Sequence, residues 1–251
     1  KNDCLYRTIE DTGVWEPHMT AFIELFNKKF KIRNSIDVGA NFGYHTIHLA
    51  QNSSNIVYAF EPQFQNFCLL SENTKKFPNI KIFNNACGDV IETVHMPYNT
   101  SNSKLINMGD FTPNHAINIG CTQVKTCVID DMNLNDVDFI KIDVQGWEKK
   151  VLLGLERTID KCKPVMIVEF ENFQLSKTGE TCETLFKYIR SLGYHIYMLD
   201  YKYPSDHVCV HKDKLSEFKT QFQDFIKPHT EFNDINANIR YDVSEKISLE
   251  I

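Results

Sequence analysis

Asp37, Gly39, Asn41 and Gly43 stand together in the segment SIDVGANFGYHT, residues 35–46, in an order that could hold a small charged ligand. The apolar run Ser35-Ile36-Asp37-Val38 stops at Gly39-Ala40-Asn41-Phe42-Gly43, and Tyr44-His45-Thr46-Ile47-His48-Leu49-Ala50 continues as a helix. Two glycines permit a tight turn and let a ligand approach the backbone, while the free N–H groups that open a helix can receive a carboxylate. The spacing G-x-x-x-G differs from the dinucleotide pattern G-x-G-x-x-G. A carboxylate at position 37 would repel a pyrophosphate and suits a cationic group, an ammonium or a sulfonium.

Three further strand ends add to this corner. Asn55-Ile56-Val57-Tyr58-Ala59-Phe60 ends at Glu61-Pro62, at the distance from the glycine loop where an acid binds the two ribose hydroxyls of a nucleoside. Glu61 also fits as an acid complementing a helix start, with Pro62 in keeping. Ile80-Lys81-Ile82-Phe83 leads to Asn84-Asn85-Ala86-Cys87-Gly88, where small residues could accept an adenine ring. Phe139-Ile140-Lys141-Ile142-Asp143-Val144 ends in Gln145-Gly146-Trp147-Glu148.

Lys141 shares a strand face with Asp143, in a strand that a parallel sheet buries on both sides, so it needs a partner. Glu169, on the expected neighbouring strand, is the candidate, either as a structural ion pair or as part of a substrate-orienting group. Glu148 reads as a cap of the following helix and Trp147 as packing. His45, His48 and His195 read as packed or surface residues.

The elements that must position these groups alternate. Strands at 55–60, 80–84, 139–144 and 165–170 alternate with helix-like stretches near 64–76, 146–160 and 181–192, the pattern of an α/β fold with a parallel sheet and helices on both faces. Residues 19–30 form an amphipathic helix through Phe22, Ile23, Phe26 and Phe30. Residues 90–128 interrupt the repeat. They are rich in Asn, Ser, Thr and Gly, with strand-like pieces at 92–96 and 122–129, and chain order places them beside the crevice as a substrate-side lid. His195-Ile196-Tyr197-Met198-Leu199-Asp200 and His207-Val208-Cys209-Val210-His211 read as an antiparallel hairpin. From position 214 onward one helix carries Phe218, Phe222 and Phe225, a core face or a subunit contact that leaves a homo-oligomer open, and a weakly structured polar end follows.

A chain of 251 residues with 42% hydrophobic content can bury one large core, so a single domain over 1–251 is expected, with an N-terminal cap (1–30), a core (31–212) and a helical tail (213–251). A formal charge of −6 gives no global attraction to nucleic acid or to an anionic membrane. No run of about 18 apolar residues exists to span a bilayer. The first residue is Lys, so the chain is expected to be trimmed or excised, and any targeting segment could lie outside it. Eight cysteines lack a C-x-x-C pair and zinc spacing, which favours free thiols, a reducing cytoplasmic compartment and no structural metal.

Assembled in order, these motifs resemble the FkbM-type methyltransferases, a branch of the S-adenosylmethionine-dependent Rossmann-like enzymes, over roughly residues 13–212. The resemblance rests on Gly13-Val14-Trp15-Glu16-Pro17, on 36–43 with Thr46, on Phe60-Glu61-Pro62 and on Ala86-Cys87-Gly88. It continues through Asp130-Asp131, through 141–148 with Leu152 and Gly154, and ends at Glu169. Gln145 stands where the family often has Glu.

The resemblance implies a seven-stranded sheet, mostly parallel, closed by an antiparallel C-terminal hairpin, and S-adenosylmethionine as methyl donor. Asp37, Gly39, Asn41 and Gly43 would hold the methionine end, with Thr46 supporting the loop and Glu16 closing over it. Glu61 with Pro62 would take the ribose, Ala86, Cys87 and Gly88 the adenine, and Asp143, Val144 and Gln145 would border the sulfonium. The acceptor that the resemblance implies is a hydroxyl of a sugar or glycan. Asp143 would receive or orient its proton, with Lys141 and Glu169 setting the field. A divalent cation on Asp143 and Glu169 is a competing way to activate the alcohol. The absence of a D/N-P-P-Y/F signature speaks against an amino acceptor. Two other functions compete: ribose methylation of an RNA cap, from a partial Lys-Asp-Lys-Glu likeness, and a nucleoside-binding module without turnover.

Overall fold

The computed structural model describes residues 4–52, 54–97, 113, 121–199, 206–228 and 245–249. The elements in chain order are α1 (Cys4–Thr12), α2 (Pro17–Lys29), β1 (Asn34–Val38), α3 (Tyr44–Ala50), β2 (Ile56–Phe60), α4 (Phe64–Thr74), β3 (Ile80–Phe83) and β4 (Ala86–Cys87). They continue with β5 (Thr93–Pro97), β6 (Cys121–Cys127), β7 (Val137–Ile142), α5 (Glu148–Leu153), α6 (Glu156–Cys162), β8 (Val165–Glu169), α7 (Asn172–Ser176) and α8 (Cys182–Ser191). The last are β9 (Tyr194–Leu199), β10 (Asp206–His211), α9 (Leu215–Phe222), β11 (Ile226–Pro228) and β12 (Glu245–Ile247).

The main sheet runs β11-β12-β9-β10-β8-β7-β1-β2-β3. Strands β3, β2, β1, β7 and β8 are parallel, and β10 is antiparallel to both β8 and β9. The expected seven strands and the C-terminal hairpin are therefore present, the turn at 200–205 lying outside the described residues. Short strands β12 and β11 lengthen the sheet beyond β9, where a weakly structured end was expected. The described ends of the 90–128 segment form a separate small sheet, β5 antiparallel to β6 and β4 parallel to it. Most of the 90–128 segment expected as a lid lies outside the described residues.

Side chains alternate across the central strands. Ile140 and Ile142 pack into the core layer that holds Leu152, Leu185 and Ile189, whereas Phe139 faces Phe22, Phe26 and Phe218 on the other side. The phenylalanines of α9 are core: Phe218 and Phe222 are buried, and Phe222 stacks on Phe22 at 5.3 Å between ring centroids.

The helix expected over 146–160 is broken between Leu153 and Glu156. Gly154 sits where a Cβ would lie 2.0 Å from the Gly88 carbonyl oxygen, so the chain turns there against a neighbouring loop. Buried Asp130 then restarts the helix, accepting the N–H groups of Arg157 at 2.8 Å and Thr158 at 2.9 Å, which supplies acceptors for two orphan donors of the first turn of α6.

Candidate active site

Strand order reverses at β1, whose partners are β2 on one side and β7 on the other. In open α/β sheets the crevice beyond such a switch point receives the ligand. A cavity of ≈ 520 Å³ opens there, at the carboxyl ends of β1, β2, β7 and β8.

The turn after β1 follows from one close approach. Gly39 has φ +83°, and a Cβ on it would fall 1.8 Å from the backbone oxygen of Asp143. Only glycine lets the β1 turn pass the end of β7 so closely, and Asp143 N–H closes the contact by donating to Val38 O at 3.1 Å. Asn41 is left-handed at φ 52°. Its N–H donates to Glu61 Oε2 at 2.8 Å, and Gln63 N–H donates to Glu61 Oε1 at the same distance. Glu61 therefore ties the ends of β1 and β2 while remaining in the cavity wall.

Lys141 is 2% exposed and pairs differently from expectation. Its Nζ lies 3.2 Å from Asp143 Oδ2 and 3.8 Å from Asp37 Oδ1, and Asp37 is its direct neighbour in the β1–β7 register. Glu169 is not its partner. The β8 residue opposite Lys141 is Ile167, so Glu169 lies two positions further along, where Gln145 Nε2 donates 3.1 Å bonds to both Glu169 Oε2 and Asp143 Oδ1. An amide at 145 bridges two carboxylates that a third carboxylate would repel. Thr46 donates to Asp37 Oδ2 at 2.6 Å, the supporting role expected of it.

The turn carrying Gln145 is unusual, with Gln145 at φ 56° and Gly146 at φ 96°. Glu148 Oε1 accepts from Val144 N–H at 3.2 Å and Gly146 N–H at 3.0 Å, so its role is to hold this turn. Residue strain of this kind persists only where surrounding contacts enforce it, and it collects at functional sites.

The cavity wall contains Glu16, Asp37, Gly39, Asn41, Glu61, Pro62, Ala86, Cys87, Lys141, Asp143, Val144, Gln145 and Glu169. Gly43, Thr46 and Gly88 do not reach it. A Cβ at Gly43 would meet Leu70 Cδ1 at 2.7 Å, so that glycine serves the packing of α3 on α4, and Gly88 faces Gly154. Trp15, His45 and Phe173 also line the cavity; Trp15 and His45 stand inside quoted motifs without having been given a site role, and Phe173 stands outside them. His45 is buried, its Nε2 lying 3.7 Å from Glu16 Oε2 and 3.4 Å from Thr20 Oγ1. Glu16 opens α2 in a left-handed conformation, φ 43°, followed by Pro17.

The site is crowded with acid. Burial, then Asp206 and Asp143, hold Glu16 well above the ordinary glutamate value, and burial with Asp143 does the same for Glu169. Asp206, opposite Glu169 in the β8–β10 register, is pushed up to about 7 by burial and by Asp143. Burial raises Glu61 to about 7 against the lowering effect of its two backbone hydrogen bonds. Burial pulls the Lys141 ammonium down, but Asp143, Asp37 and Glu16 outweigh it, so Lys141 is held more firmly charged than an ordinary lysine. Burial, then Lys141, keeps His45 neutral.

Among the described residues, Glu16 Oε2, Asp37 Oδ1 and Asn41 Oδ1 are buried oxygens without a hydrogen-bond partner. All three are acceptors, and they match a ligand that brings N–H donors and positive charge. An amino acid ammonium answers that description. Among the described residues, no group of three or more His, Cys, Asp or Glu is arranged to hold a metal ion, and no helix is long and apolar enough to cross a membrane.

Sheet order and the glycine turn under Asp143 are those of the Rossmann-like class I methyltransferase fold, and the family to which the chain belongs uses S-adenosylmethionine as cofactor. The chain belongs to the FkbM methyltransferase family, since the family profile described as "Methyltransferase FkbM domain" matches residues 37–196, more than half of its length. Among solved structures it is similar to the methyltransferase FkbM from Methylobacillus flagellatus KT, at 18% identity and a TM-score of 0.50. That similarity covers 71% of this chain and 43% of the Methylobacillus chain, less than half of its length. A putative methyltransferase from Streptococcus mutans, solved in complex with SAH, is similar at 8% identity and a TM-score of 0.47, over 78% of this chain and 97% of the other. An O-methyltransferase from Thermotoga maritima is similar at 13% identity and a TM-score of 0.47, over 82% and 71%. No curated protein matches the chain.

Proposed function

We propose that this methyltransferase transfers the methyl group to oxygen, on a hydroxyl of a sugar or glycan, with Asp143 as proton acceptor. The observation that carries the reading is the setting of Asp143: its Oδ2 receives Lys141 at 3.2 Å, its Oδ1 receives Gln145 at 3.1 Å, and its side chain remains 24% exposed at the cavity wall. An alcohol must lose its proton during or after attack, and a positioned carboxylate can take it.

When bound, S-adenosylmethionine supplies an electrophilic methyl group on a positively charged sulfur. Asp37, Gly39 and Asn41, with Glu16 above them, receive the methionine end, and Glu61 beside Pro62 accepts the ribose hydroxyls. Ala86 and Cys87 form the adenine wall, and Val144 and Gln145 border the sulfur. Asp143 orients the acceptor hydroxyl, takes its proton as the oxygen–carbon bond forms, and releases that proton to solvent through its exposed edge. Lys141 and Gln145 keep the carboxylate fixed, so that the reacting groups are aligned rather than searched for, a contribution of about 7–11 kcal/mol in well-oriented systems. Glu169 shares the Gln145 amide and so helps to fix that side chain beside Asp143 at the acceptor side.

The same wall speaks against RNA as acceptor, because among the described residues Lys141 is its one Lys or Arg side chain and is already paired with Asp37 and Asp143, which leaves no cation for a phosphate. The test is a methyl-transfer screen over free sugars, glycans and capped RNA, with the methylated atom located in the product. Methylation of a glycan hydroxyl supports the reading; methylation of a nitrogen, or of the cap ribose, overturns it.

A further inference from the structure

Phe173 is 67% exposed and belongs to the cavity lining. It lies on α7, immediately after the strand that ends in Glu169, and the Lys177 Nζ sits 4.8 Å from its ring centroid. The segment that carries it is locked to the catalytic turn. A Cβ at Gly146 would fall 2.2 Å from Gln174 O, Thr178 Oγ1 donates to Gly146 O at 2.7 Å, and Gln145 Nε2 joins Asp143 to Glu169. A ligand resting on Phe173 is therefore held in register with Asp143.

We infer that the Phe173 ring is the platform on which the acceptor's sugar ring stacks, with Glu171 and Glu169 accepting hydrogen bonds from its hydroxyls. This rests on the reading of the enzyme as a glycan O-methyltransferase and adds the residue that selects the acceptor. The chemistry follows from what surrounds the ring. An aromatic face is electron-rich and attracts polarised C–H groups. Lys177 covers one face of the ring and leaves the other for the acceptor. A pyranose presents such C–H groups on one face and hydroxyl donors around its edge. The cavity offers carboxylates at that edge, Glu169 and Glu171 both lining it. An acyl chain would bring no hydroxyl donors to these two carboxyl groups.

The test uses the intact protein loaded with S-adenosylhomocysteine and the methyl glycosides of glucose, galactose, mannose, fucose, rhamnose, xylose and N-acetylglucosamine, read by saturation-transfer NMR. Wild type, Phe173→Ala, Phe173→Trp and Phe64→Ala are compared, Phe64 being an exposed ring on α4 outside the cavity wall. We expect saturation of the C–H protons on one face of at least one glycoside, its loss in Phe173→Ala, and its retention in Phe173→Trp and Phe64→Ala. For a glycoside that is also methylated, Phe173→Ala should raise KM about three- to tenfold, the range of an aromatic contact, and change kcat much less. Calorimetry with S-adenosylmethionine should give the same affinity for all four proteins. If wild type binds a glycoside and Phe173→Ala binds it equally well, the platform is wrong and the glycan reading stands. If wild type binds none of the seven, both are overturned.

Discussion

Lys141 stands directly opposite Asp37 in the β1–β7 ladder and reaches Asp143 from the same position, so one buried ammonium joins the ends of the two strands that flank the switch point. Its removal exposes both acids to each other. Lys141→Met should cost about 3–5 kcal/mol in urea unfolding, because breaking a buried ion pair on one side leaves the other charge uncompensated. Donor affinity should fall with it. A loss below about 1 kcal/mol, the size of a surface pair, would contradict this placement.

Gly39 and Gly179 offer a matched contrast. Both have positive φ, +83° and +81°, but a Cβ at Gly179 would meet nothing within 4 Å, while one at Gly39 would collide with the Asp143 carbonyl. Gly179→Ala should cost only the backbone term, about 1–2 kcal/mol. Gly39→Ala should cost clearly more and abolish donor binding, since the turn must move off β7. Thermal unfolding and calorimetry on the two variants separate these effects, and equal losses would argue against the close approach as the reason for glycine at 39.

Glu61, Glu148 and Asp206 each stand at about 7 in the folded protein, against 4.5 or 3.8 for the free side chains. The folded protein thus keeps protons that the unfolded chain has released, so the contribution of these groups to stability is complete below the unfolded values and is lost as pH rises through about 7. In the proposed binding mode, ribose hydroxyls and a cationic sulfur favour ionised Glu61. Donor binding should then release protons below pH about 7, and affinity should climb towards that pH and level off above it. Calorimetry at pH 6 in two buffers of different ionisation enthalpy measures the release directly. Proton uptake, or affinity that falls between pH 6 and 7.5, would be the opposite of this expectation.

Much of the site was legible because chemistry at strand ends is written in order. Asp37 stands next to the end of its apolar run, Glu61, Asp143 and Glu169 close theirs, and the fold brings all four to one crevice. Pairing across the sheet was not legible. The side-chain period gave Lys141 its face but not its register, and the strand opposite proved to offer Asp37 on one side and Ile167 on the other. The glycines were ambiguous for a similar reason: Gly39, Gly43 and Gly88 look alike in sequence, and only their neighbours separate a cavity wall from helix packing. Phe173 reaches the site from a segment without a motif, Trp15 and His45 stand inside quoted motifs but were given no role in the site, and Asp206 acts on it from behind the wall, through its antiparallel pairing with Glu169.

Asp143→Asn on an identified acceptor, in single-turnover conditions with donor affinity measured alongside, bears most directly on the chemistry. Asparagine keeps the shape and can still meet Lys141 through its carbonyl, but it cannot take a proton. We expect donor binding close to wild type and a methyl-transfer rate reduced by about 10²- to 10⁴-fold, the usual contribution of a general base. A variant that binds the donor normally and transfers methyl at the wild-type rate would contradict the role given to Asp143.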